Sequence, residues 1–81
     1  MCIGLLHIMK HTITQLNVSP TKIYGRYVIT GTVNGQLIKI STTNSMAYDW
    51  YNDDEDIEKM QDAIAYCTRR LIDTYEYNNN N

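Results

Sequence analysis

The spacing of apolar positions changes near residue 50, dividing the chain into a sheet-forming half and a helix-forming half. Over residues 23–33 the side chains alternate as in a strand. Ile23, Gly25, Tyr27, Ile29, Gly31 and Val33 fall on one face, and Tyr24, Arg26, Val28, Thr30 and Thr32 on the other. Asn34-Gly35 follows, a dipeptide suited to the two positive-φ positions of a type I′ turn, and residues 36–43 read as the return strand. A two-residue turn sets the register. Val33 then pairs with Gln36, Gly31 with Ile38 and Ile29 with Ile40, so the apolar residues of both strands meet on one face. Residues 12–18 predict a further strand ending at Ser19-Pro20. Ile13 is out of phase with Leu16 and Val18 there, which predicts a bulge or an edge position.

From residue 53 the period lengthens. Ile57, Met60, Ile64, Cys67, Leu71 and Tyr75 make a stripe along a helix of roughly six turns. Asn52 or Asp53 serves as its N-cap, Asn52 with Glu55 fits a capping box, and the acidic run 53–56 complements the helix dipole. Residues 44–51 predict a short helical turn capped by Asn44 or Ser45. The fold class expected is therefore α+β: a three-stranded antiparallel sheet with one long C-terminal helix packed on one face, in the order β-β-β-α. One helix covers one side only, which leaves the face with Tyr24, Arg26, Val28, Thr30, Thr32, Leu37, Lys39 and Ser41 solvated or used.

With 81 residues the chain is a single domain: a core over 9–77, a loosely attached leader or edge strand over 1–8, and a frayed Asn tail over 78–81. A core this small favours a homodimer. The apolar run 1–9 is far below the ~20 residues of a membrane span and lacks the charged region and cleavage site of a signal peptide. No membrane association and a cytoplasmic location are expected. Cys2 and Cys67, far apart, form no disulfide framework and read as reduced thiols.

Candidate chemistry is sparse, and the protein is expected not to be an enzyme. Cys67 lies on the apolar stripe as an inert thiol, and Gly25, Gly31 and Gly35 are strand and turn glycines rather than a phosphate loop. His7 and His11 have the i,i+4 spacing of a helical zinc site, but in a strand they stand ~13 Å apart. The run 53–56 lacks the ligand alternation of a calcium loop. No metal or cofactor is expected.

Charge adds a functional pattern. Residues 1–48 hold Lys10, Lys22, Arg26 and Lys39 with no acid, whereas residues 49–62 hold seven acids against Lys59. The net charge of −2 offers no global attraction to nucleic acid or membrane. All eight aromatics are Tyr or Trp, more than a small core can bury, and these residues anchor protein interfaces. Tyr48, Trp50, Tyr51, Asp53, Asp54 and Glu55 form the most interface-like stretch. The expectation is a non-enzymatic module that binds and modulates another protein through this acidic and aromatic surface. The alternative is a nucleic-acid binder using the open sheet, with Lys22, Arg26 and Lys39 on phosphates and Tyr24 stacking on a base.

Residues 24–30 (Tyr-Gly-Arg-Tyr-Val-Ile-Thr), Asn34-Gly35 and residues 41–47 (Ser-Thr-Thr-Asn-Ser-Met-Ala) resemble short uncharacterised proteins of phage and prophage genomes. Over residues 9–75 this resemblance implies a small accessory protein acting on a host or phage component, in the host cytoplasm if phage-encoded. The β-β-β-α order also resembles the arm-type DNA-binding domains of integrases, which read DNA with the sheet and are more basic than this chain.

Overall fold

The structure is a computed structural model that describes residues 6–8, 10–53 and 55–79. The expectations for Cys2, for the leader over residues 1–5, for Asp54 and for Asn80 and Asn81 lie outside the described residues, as does His7's side chain. Among the described residues six elements follow in order: β1 (Leu6–Ile8), β2 (His11–Pro20), β3 (Tyr27–Val33), β4 (Gln36–Thr42), α1 (Ser45–Tyr51) and α2 (Ile57–Asn79). The strands form an antiparallel sheet in sequential order, with the long C-terminal helix across one face. Of the two roles expected for residues 1–8, Leu6–Ile8 take that of edge strand, which adds a fourth strand to the three expected.

The hairpin has the expected register: Val33 pairs with Gln36, Gly31 with Ile38 and Ile29 with Ile40. Its turn residues Asn34 and Gly35 sit at φ 51° and 87°, the left-handed pair of a type I′ turn. The irregularity of β2 is a bulge. Ile13 pairs with Val33 and Thr14 with Thr32, but Asn17 pairs with Thr30, so Gln15 and Leu16 together oppose Gly31. Gln15 takes up the extra residue at φ 57°. The bulge re-phases the strand, and Ile13, Leu16 and Val18 are all buried on the same face.

One helix, about 10 Å across, cannot cover four strands spaced at about 4.8 Å. Two helices share the work: α2 lies over β3 and β4, and α1 packs against α2 and over β2. Asn44 caps α1, its side chain accepting from the Met46 N–H at 3.0 Å. Leu16 is drawn into the core at the bulge, and its carbonyl accepts a 2.6 Å hydrogen bond from the Tyr51 hydroxyl. A strand irregularity and a helix aromatic thus satisfy each other.

Three expectations are corrected. The long helix begins at Ile57, not at residue 53, with Asp56 as its cap: Asp56 Oδ1 accepts from the Lys59 N–H at 3.1 Å. Asn52 ends α1 instead, its N–H donating to the Tyr48 carbonyl at 3.2 Å, and Asp53 Oδ1 accepts from the Glu55 and Asp56 N–H groups in the reversal between helices. Both the backbone and the side-chain amide of Asn52 are turned back onto the Tyr48 carbonyl, which ties this residue to α1. Ile57 is 61% exposed rather than core. Tyr66 bonds Thr42 at the last position of β4, so the first turns of α2 overhang the sheet end. The buried face is accordingly centred on Ala63, Cys67, Thr68, Leu71 and Ile72. Finally, α2 runs into the Asn tail as far as Asn79, whose side chain donates to the Tyr75 carbonyl at 2.7 Å. Among the described residues no helix is long and apolar enough to cross a membrane.

Candidate functional site

The aromatic anchors expected on the acidic surface are drawn largely into the fold. Tyr51 is completely buried and belongs to the core, which corrects its assignment as a contact residue. Tyr48 is half-buried and stacks on Tyr27 with ring centroids 5.1 Å apart, and half-buried Trp50 also packs on the core. Asp53 is partly buried and holds the interhelical turn, while Glu55 remains exposed. Much of this acidic segment has local work: Asp56 caps α2 and lies 4.0 Å from the Lys59 ammonium. The segment keeps its charge, and exposed Ile57 and half-buried Trp50 are the apolar side chains it presents.

The titratable groups at the core add no reactive centre. Burial pushes the Cys67 thiol up to about 12, against the opposing pull of the Arg70 charge, so it carries no thiolate at neutral pH. Burial raises the Tyr66 phenol, but hydrogen bonds from Thr42 and Arg70, with the Arg70 charge, bring its net value below the ordinary one. Arg70 donates to the Tyr66 hydroxyl at 2.9 Å. Among the described residues no group of His, Cys, Asp and Glu is placed to hold a metal ion.

His11 sits at the opposite end of the sheet, in a structural cluster. The Asn34 Nδ2 lies 2.9 Å from its Nδ1, the Glu76 carboxylate 3.9 Å from its Nε2, and Tyr75 packs edge-on at 5.5 Å. This knot ties the hairpin turn and the start of β2 to the last turns of α2.

The second expected set fares differently. Lys22, Tyr24, Arg26 and Lys39 are all exposed. The first three lie in a loop over residues 21–26, whereas the alternation over 23–33 predicts Tyr24 and Arg26 on a strand. The Arg26 N–H donates to the Ile23 carbonyl at 3.1 Å, and Gly25 between them sits at φ 81°, where its missing Cβ matters. Thr21 braces the loop base. Its hydroxyl lies 3.1 Å from the Ile23 carbonyl and 2.9 Å from the Arg26 carbonyl, and accepts from the Ile23 N–H at 3.1 Å. The result is a closed turn holding Ile23 at 63% and Tyr24 at 104% exposure, flanked by two cations.

No family model, curated protein or solved structure matches the chain. The site therefore rests on its own geometry. Behind the loop, the outer sheet face carries three cross-strand rungs: Ser19-Val28-Ser41, Asn17-Thr30-Lys39 and Thr14-Thr32-Leu37. These rungs carry the hydroxyls of Thr14, Ser19, Thr30, Thr32 and Ser41 and the Asn17 amide, with Lys39 in the middle rung and the apolar Val28 and exposed Leu37 in the outer two. None of Lys22, Arg26 and Lys39 takes part in an ion pair among the described residues. Sequence reading missed Thr21 as the brace and misplaced Ile23 in the core. The signal for both was Pro20-Thr21 followed by Gly25, two breaker positions five residues apart.

Proposed function

We propose that the chain is a small non-enzymatic binding module that takes nucleic acid on the loop over residues 21–26 and the adjoining outer sheet face. The observation that carries this reading is the loop itself. It spends a set of internal hydrogen bonds to hold an aromatic and an aliphatic side chain in water between Lys22 and Arg26. A loop without a partner gains nothing from that exposure, since burying each such side chain is worth roughly 1.5–3 kcal/mol. The flanking cations give the partner its sign, and the hydroxyl-rich rungs with Lys39 extend the contact along the sheet. In the setting implied by the phage-type resemblance, such a module serves as an accessory factor.

Three cations support modest affinity with a shallow salt dependence. Binding of a labelled oligonucleotide against salt concentration tests the reading. Arg26→Ala with Lys39→Ala should flatten the slope by about 1.4–1.8, at about 0.7–0.9 for each phosphate no longer neutralised. An unchanged slope removes the proposal.

A second reading keeps a protein partner at the acidic helix entry, where half-buried Trp50 and exposed Ile57 lie among the acids of residues 49–62. Trp50→Ala would then weaken that complex by ~2 kcal/mol, and charge reversal at exposed Glu55 would mainly slow association. Binding to nucleic acid would be untouched by either change.

A further inference from the structure

We infer that the loop takes unpaired nucleic acid rather than duplex, with one base stacked on the Tyr24 ring and the strand running back over the sheet toward Lys39. This rests on the nucleic-acid reading above and names the form of its partner. Tyr24 is as open as in an extended chain, at 104% exposure, and a Cβ at neighbouring Gly25 would meet nothing within 4 Å. The loop thus stands clear of the body, and among the described residues the ring has no aromatic neighbour to stack on. Ile23 beside it adds a second apolar surface at 63% exposure. Unpaired bases offer flat apolar faces to such groups. A duplex covers those faces with its own neighbouring bases, and opening a step costs a few kcal/mol.

Charge points the same way. A duplex presents one phosphate per about 1.7 Å, both strands together, to a chain whose net charge is −2. Lys22 and Arg26 flank the stacking ring. Lys39 pairs with Thr30, four residues along from Arg26, which places it about 14 Å farther back on the sheet. That reach suits a footprint of about four nucleotides, at the small end for sheet-based single-strand binders. A lipid surface touching the loop tip would not reach Lys39, so Lys39 separates these partners.

Fluorescence anisotropy at low salt, with a labelled oligothymidine of about ten nucleotides and a duplex of equal length, tests the inference. The single strand should bind about ten-fold more tightly than the duplex. Tyr24→Ala should lower single-strand affinity about ten-fold, and Tyr24→Phe, which keeps the ring, should stay within about two-fold of wild type. The Tyr24 side chain is fully solvent-exposed, so both variants fold, and circular dichroism verifies it. Equal or tighter duplex binding with Tyr24→Ala silent overturns the inference and leaves the broader function standing. Failure to bind either oligonucleotide removes both, as does Tyr24-dependent, Lys39-independent binding to phosphatidylserine vesicles alone.

Discussion

Gly31 lies directly beneath the Leu71 side chain of α2, and adding one methyl group there tests how the core is packed. A Cβ built on Gly31 would stand 2.7 Å from Leu71 Cδ1, with the Thr14 carbonyl oxygen at 3.7 Å and Ile13 Cγ2 at 3.8 Å. Carbon atoms prefer about 3.5–4.0 Å, so Leu71 must retreat by roughly 1 Å. It has nowhere free to go, being completely buried between α2 and the sheet. Overpacking of this kind costs about 1–3 kcal/mol. Relief of the glycine's unfolded-state entropy returns about 0.4–1 kcal/mol. Gly31→Ala should therefore destabilise by about 1–2 kcal/mol in urea denaturation with an unchanged m-value, or roughly 4–16 °C in Tm. Leu71→Ala alone should cost about 2–5 kcal/mol. In the double variant the new methyl fills part of the space that Leu71 vacated, so its cost should be smaller than the sum by about 1 kcal/mol or more. A neutral Gly31→Ala, or strict additivity in the double variant, would refute the close approach of α2.

Tyr51→Phe removes the donor to the Leu16 carbonyl at the bulge and should cost about 1–3 kcal/mol by denaturant titration, because the carbonyl is left buried without that partner. The Cys67 thiol should resist alkylation in the folded protein at pH 8, as read by peptide mapping, and react on unfolding. Its folded value of about 12 lies above its unfolded value near 9.0, so its stabilising contribution is complete below about pH 9 and is lost as pH rises toward 12. The stability difference between wild type and Cys67→Ala should fall across that window, and parallel curves would contradict it. The neutral His11 ring should carry its proton on Nε2: the Thr12 N–H donates to Asn34 Oδ1 at 2.9 Å, which turns the Asn34 amide nitrogen toward His11 Nδ1 at 2.9 Å. Imidazole nitrogen-15 shifts report this directly, and an Nδ1–H tautomer would break the scheme.

The hairpin was legible residue by residue, because a two-residue Asn-Gly turn and strict alternation leave only one register that puts Ile29, Ile38 and Ile40 on a common face. The bulge, too, showed as the phase slip at Ile13, since one extra residue is the only way that strand can bury Ile13, Leu16 and Val18 together. The α+β class and the long C-terminal helix follow from periods of two and 3.6, which are local properties of the chain. What local pattern could not decide was competition between neighbours. Asn52 and Asp53 are good caps for either helix, and only the reversal that packs α1 against α2 assigns them to the turn and moves the cap to Asp56. Tyr51 is as suitable for an interface as for a core, and its burial depends on a carbonyl 35 residues away. Tyr24 and Ile23 continue an alternating pattern perfectly well. Their exposure arises because Thr21 and Gly25 close a loop before β3 begins, a choice settled by hydrogen bonds among residues 21–26 and by the pairing of Pro20 with Tyr27. Periodicity encodes which side of an element is apolar, whereas the position at which an element starts, and the surface it leaves bare, depend on contacts made across the sequence.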